Sequence, residues 1–234
     1  MTGKLYLVGV GPGDPELLTL KAARILSEAD CIAFPQKPGQ GSMALDIARA
    51  HIADDKRLPP IHIPMELERA PAQMAYDQGA AHIAALIGEG HSVAYLCEGD
   101  PLFYGSAMFL IERLTARTEI NIVPGVTSLT AAAAVAARPL AARNDRLKIL
   151  PAPLDNKTLR TELDTSESVA IIKVGRHFHR LRKLLMESGH DKAVVVEHAT
   201  GTREQIRPLA EFADDERPYF SIILSYRGGE AWAE

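Results

Sequence analysis

The sequence predicts an α/β protein of two domains, the first on a mostly parallel sheet and the second on a mixed one. Three observations carry this. Short β-branched runs alternate with longer stretches of helical periodicity up to about residue 140, the rhythm of a parallel sheet covered on both faces. Beyond Arg143–Arg146 the texture changes to closely spaced strands with two helices among them. The chain is 234 residues long, 47% apolar and 24% charged, enough to bury a sizeable core.

Element by element, Leu5–Gly9 is a short apolar run closed by glycine, and helical spacing follows over 16–28. Cys31–Phe34 is the second strand and 42–53 its helix. Ile61–Pro64 precedes a helix at 71–89, Ser92–Cys97 one at 105–116, and Ile120–Val123 an alanine-rich one at 126–137. In the second part, strands are expected at Leu147–Leu150, Val169–Val174, Ala193–Glu197, Gln205–Pro208 and Tyr219–Ser225, with helices at 156–164 and 177–187. The acidic stretch between the last two strands is too short for a helical crossover, so these two are expected to pair antiparallel. The expected domains are 1–143 and 144–234.

Composition narrows the function. A formal net charge of -4 gives no whole-molecule attraction to nucleic acid or acidic membrane. Neither a signal-peptide pattern nor an apolar stretch of bilayer-spanning length occurs, and a cytoplasmic protein is expected. Cys31 and Cys97 sit inside apolar runs and read as buried thiols. No C-x-x-C or H-E-x-x-H occurs, so no metal site is expected; His177 and His179 form the one tight histidine pair.

In parallel sheets ligands gather at the carboxyl ends of the strands, which directs attention to three loops. The first, Gly9 to Glu16 (GVGPGDPE), resembles a dinucleotide loop but fails as one. Asp14 occupies the third-glycine position of G-x-G-x-x-G, and Pro12 and Pro15 remove N–H groups that a phosphate needs. Asp14 is suited to cap a helix beginning near Glu16, with Pro15 in its first turn. The second loop, Cys97 to Ser106 (CEGDPLFYGS), sets an acid and two aromatics after a buried strand. Asp100 suits either hydrogen bonding to a ribose or ammonium group or capping of a helix starting at Gly105. Phe103 and Tyr104 offer flat apolar surface. The third, Pro124 to Thr130, carries Thr127 and Ser128, whose hydroxyls suit both helix capping and ligand contact.

GVGPGDPELLTL, EGDPLFYGS and PGVTS, in this order and spacing, resemble the signature loops of the tetrapyrrole methylases, the class III methyltransferases. The resemblance continues through IIKVGRHF (171–178) and EHAT (197–200). It implies a cofactor cleft between two α/β domains, S-adenosylmethionine as methyl donor, S-adenosylhomocysteine as product, and a homodimer. CEGDPLFYGS, RPLAARND (138–145) and KVGRHF are similar to precorrin-2 C20-methyltransferases, which implies methylation of C20 of precorrin-2 in cobalamin synthesis. A cobalt-loaded substrate, or the reaction of another tetrapyrrole methylase, is the alternative, and a non-catalytic binding protein the alternative of another class.

The resemblance implies that Pro12, Gly99, Asp100, Phe103, Thr127 and Ser128 line the cofactor, joined by the backbone at Val174 and Ala199. Relatives often carry Met and Gly at these last two positions, which weakens any side-chain role. The implied substrate is a polycarboxylated tetrapyrrole, so an acidic protein must gather positive charge locally. Arg143, Arg176 and His177 are the expected substrate contacts; Arg180, Arg182 and Lys183 read as a solvated helix face. Orientation alone supplies roughly 7–11 kcal/mol in such a reaction. If a protein base is needed, Glu98 and Tyr104 are the candidates by position.

Overall fold

The computed structural model describes residues 3–63, 69–213 and 220–228. Pro64 and Tyr219, at the ends of two expected strands, lie outside the described residues, as do residues 214–218 of the acidic stretch. The chain divides into two compact units, Met1–Thr127 and Ser128–Glu234. The expected change of domain at 143/144 thus falls within the second unit.

The first unit holds β1 (Leu5–Gly9), α1 (Leu20–Glu28), β2 (Cys31–Gln36), α2 (Met43–Ala48), β3 (Pro60–His62), α3 (Arg69–Gly88), β4 (Val93–Cys97), α4 (Met108–Leu114) and β5 (Ile120–Val123). Its strands are all parallel, in the order β3-β2-β4-β1-β5. The central strand β4 (VAYLC) is buried throughout, as a parallel strand covered on both faces must be. Tyr95 and Cys97 pack with Leu5, Leu7 and residues of α3 and α4 such as Ile83 and Leu110. Ala94 and Leu96 face the other way, onto Val8, Ile32 and the Ile25, Leu26 and Ile47 side chains of α1 and α2. Both cysteines are buried and free.

Helix starts differ from expectation by a few residues, for a local reason. Asp14 caps a short 3-10 turn, Pro15–Leu17, accepting from Glu16 N at 2.8 Å. The α-helix proper begins at Leu20, where Thr19 accepts from Ala22 N. Likewise α4 begins at Met108, so Asp100 is not its cap.

The second unit runs α5 (Ser128–Val135), β6 (Leu147–Pro151), α6 (Asn156–Asp164), β7 (Ser168–Ile172), α7 (Phe178–Glu187), β8 (Val194–Glu197), β9 (Gln205–Pro208) and β10 (Ser221–Tyr226). Its sheet is mixed, in the order β6-β7-β10-β8-β9. The expected pairing of the last two strands does not form. β10 lies antiparallel between β7 and β8, and β9 pairs with β8 at the edge. Burial explains the choice: every residue of β10 is buried, whereas β9 is exposed or half-buried. An apolar strand gains most at the sheet centre. One face carries a core of Val169, Ile171, Val195 and Ile223 under α6 and α7, and α5 packs beside β10.

No helix among the described residues is long and apolar enough to cross a membrane.

Candidate cofactor and substrate site

The strand order brings the three sequence loops together, because β4, β1 and β5 are neighbours and their carboxyl ends share one edge. The first and second loops are joined by backbone: Gly99 N donates to Gly11 O at 2.8 Å, Gly11 N to Gly99 O at 3.3 Å, and Val10 N to Cys97 O at 2.9 Å. Glycine is required where the loops meet. A Cβ on Gly125 would sit 2.1 Å from Gly99 O, and one on Gly9 would sit 2.6 Å from Gly125 N. Gly11 and Gly99 also adopt φ of 83° and 66°, a region that glycine enters without steric cost.

Asp100 binds within this junction. Its Oδ1 accepts from Leu102 N at 2.9 Å and its Oδ2 from Gly125 N at 3.0 Å. Pro12 is half-buried in the first loop and Phe103 half-buried in the second. Phe103 meets Tyr104 edge-on, with centroids 5.2 Å apart. Tyr104 is 44% exposed and held at φ 53°, a conformation costing roughly 1–3 kcal/mol for such a residue. Glu98 keeps access to solvent, yet desolvation by the surrounding protein raises its carboxyl above the usual glutamate range. Thr127 and Ser128 follow β5, Ser128 being the first residue of α5.

The charged residues of this edge are of one sign. The stretches 10–17, 98–105 and 124–127 contain Asp14, Glu16, Glu98 and Asp100 but no Lys, Arg or His. With Pro12 and Pro15 also lacking N–H groups, the edge opposes a phosphate and suits a ligand bearing positive charge.

In the second unit, β6, β7 and β8 point one way and β10 the other, so the carboxyl ends of β7 and β8 flank the start of β10. Val174 and Ala199 lie just past those ends. Val174 is fully buried, its side chain packed in the core of this unit. The neighbouring Lys173, His198 and Thr200 have φ of 57°, 46° and 64°, left-handed values rare for residues with side chains. The sequence carried no sign of this strain. Phe220, 46% exposed, stands beside the His198 ring with centroids 5.3 Å apart.

Arg176 and His177 occupy the 3-10 turn Gly175–His177 at the same sheet edge. Arg176 is exposed. Desolvation, with the Arg180 and Arg176 charges, lowers the His177 pKa. Arg143 is set apart from them: it precedes the amino end of β6, in a turn where Asp145 accepts from Ala142 N and Tyr226 Oη. A strand of five residues, about 17 Å, intervenes. Two of the three helix-face residues also differ from expectation. Arg180 bonds Ala152 O, Leu154 O and Asn156 Oδ1, and Arg182 donates to Leu209 O, so they brace loops; Lys183 is exposed. Among the described residues, no group of three His, Cys, Asp or Glu is placed to hold a metal ion.

Comparison with known proteins gives one answer. Residues 4–213 match the family model of tetrapyrrole (corrin/porphyrin) methylases. A precorrin-2 C(20)-methyltransferase of a Sinorhizobium species is 38% identical over 231 residues, covering 95% of this chain and 94% of that one. A cobalt-precorrin-2 C(20)-methyltransferase of Salmonella typhimurium is 34% identical over 228 residues, covering 96% of each. Among solved structures, a uroporphyrin-III C-methyl transferase of Thermus thermophilus complexed with S-adenyl homocysteine is similar with a TM-score of 0.68 at 25% identity, over 95% of this chain and 97% of that one.

Proposed function

This chain belongs to the tetrapyrrole (corrin/porphyrin) methylases, and on that premise we propose that it transfers a methyl group from S-adenosylmethionine to C20 of precorrin-2, giving precorrin-3A in cobalamin biosynthesis. The observation that carries the C20 assignment is the near full-length similarity to the Sinorhizobium enzyme. The acidic loop edge supports the cofactor, since it complements a sulfonium and opposes phosphates.

Bound S-adenosylmethionine supplies an electrophilic methyl group; the electron-rich macrocycle supplies the carbon that receives it. The protein's part is to hold, orient and exclude water. Pro12, Gly99, Phe103, Thr127 and Ser128 line the cofactor, with Asp100 among them and the backbone at Val174 and Ala199 completing the set. Arg176 and His177 receive substrate carboxylates at the edge of the second sheet, and Arg143 receives one further away. Glu98 takes the proton released from the meso carbon; its raised pKa brings it closer to a working base near neutral pH. Tyr104, pinned in its strained conformation, orients the ring. The working form is a cytoplasmic homodimer.

The similarity to the Salmonella enzyme supports a second reading, with a cobalt-loaded substrate. Incubating the protein with labelled S-adenosylmethionine and either metal-free or cobalt-loaded precorrin-2 separates the two. Gain of one labelled methyl group on the metal-free substrate is expected. Transfer to the cobalt form alone favours the second reading, and transfer to neither overturns both.

A further inference from the structure

Resting on the tetrapyrrole reading above, we infer that Lys37 is a further substrate contact, a cation held at the carboxyl end of β2 to meet a carboxylate on the rim of the macrocycle. β2 is the neighbour of β4 in the first sheet, so the turn after β2 borders the second loop. That loop offers a polycarboxylated ring flat apolar surface at Phe103 and Tyr104, but its charges, Glu98 and Asp100, are negative. Lys37 is the first residue past β2, and residues 37–45 contain no Asp or Glu. The turn is closed on itself. Gln36 Nε2 donates to Gln40 O at 2.8 Å, Gln40 N donates to Lys37 O at 3.0 Å, and Gly39 has φ of 74°. The backbone under Lys37 is thereby fixed, while its side chain is exposed. Lys4, Arg24, Arg49, Arg57 and Arg113 of the same unit each pair with an acid. Lys37 makes no ion pair among the described residues, and Asp46, the next acid along the chain, lies beside Gly41 instead. The strand register sets His62 against Gln36, which adds a second exposed donor group next to Lys37. A ring resting on the second loop shields a carboxylate at this point from water, and a charged hydrogen bond there counts for more than on open surface.

Lys37→Met keeps the apolar stem and removes the charge; Lys37→Arg keeps the charge. The measurements are KM and kcat for methylation of precorrin-2 at low and high salt, absorbance titration with uroporphyrin as a polycarboxylated tetrapyrrole, and calorimetric titration with S-adenosylhomocysteine. The Met variant should raise the substrate KM by about tenfold and weaken uroporphyrin binding by a similar factor. Its kcat and its affinity for S-adenosylhomocysteine should stay within about twofold of wild type. The Arg variant should stay within about threefold of wild type throughout, and added salt should raise the wild-type KM more steeply than that of the Met variant. A Met variant with unchanged KM and unchanged uroporphyrin affinity overturns the contact. An equal loss of S-adenosylhomocysteine affinity means that the substitution disturbs the neighbouring loop, and overturns it as well. Wild-type protein that leaves precorrin-2 unmethylated, while uroporphyrin binding still depends on Lys37, contradicts the proposed reaction and leaves the carboxylate contact standing. Wild-type protein that binds neither tetrapyrrole overturns both.

Discussion

At the scale of single residues, the account depends on Glu98 and on the glycines that let three loops meet. Desolvation raises the Glu98 carboxyl, so the ionised form costs folding free energy once the pH exceeds the ordinary glutamate range. The sign follows: the unfolded chain ionises first, and the penalty is absent at lower pH, where both states are protonated. Glu98→Gln should therefore resist urea better than wild type at pH 7, with the gain fading as the pH falls through the glutamate range. If Glu98 is the base, the same variant keeps cofactor affinity while turnover falls by about a hundredfold or more. Unchanged turnover removes Glu98 from the reaction. The residues themselves were legible as motif positions; their working state was not. Nothing in CEGDP reveals that Asp100 is bonded through both oxygens to backbone, because its partner Gly125 lies 25 positions away.

At the scale of elements, strand positions followed from short apolar runs, and β1 and β5 match their expected limits. Helix starts slipped where Pro15 made a 3-10 turn before α1. Pairing in the second sheet was the real miss. Proximity in sequence suggested that β9 and β10 pair, but the burial of SIILSY on both faces drew β10 to the centre. Tertiary burial overrides local connectivity there. The helix covering that sheet is correspondingly sensitive. Phe178 of α7 is 1% exposed and packs on Phe212 at 4.9 Å between centroids. Phe178→Ala should lower stability by about 3–5 kcal/mol in urea unfolding. A loss below about 1 kcal/mol would show that the second core is not organised around this pair.

At the scale of the whole molecule, stability should depend on pH through a residue remote from the proposed chemistry. His190 is 2% exposed, with Nδ1 2.7 Å from Ser225 Oγ. Desolvation, aided by the Arg227 charge, brings its pKa down to about 4. The unfolded chain binds this proton near pH 6.5 and the folded protein refuses it, so stability is full above 6.5 and is lost between 6.5 and about 4. The loss at pH 5 amounts to about 2 kcal/mol from this residue. Urea titrations of wild type and His190→Gln at pH 7 and 5 read it directly: the variant should show a smaller drop by that amount, and equal drops would exclude His190.

The division of labour across the molecule was also partly legible. Alternating elements announced a parallel sheet, and the three loops singled out in the sequence meet at one edge of it. The substrate side was harder to read, because cations spread along RPLAARND and KVGRHF look alike in sequence. Folding sends Arg176 and His177 to the carboxyl edge of β7, sends Arg143 to the amino end of β6, and uses Arg180 to brace carbonyls.

The central claim is methyl transfer to one carbon of one ring system. Its most direct test is NMR of precorrin-2 after incubation with the protein and S-adenosylmethionine carrying a carbon-13 methyl group. A single enriched methyl resonance, coupled to C20, is the predicted result. An enriched methyl at any other position, or none on any tetrapyrrole, contradicts it.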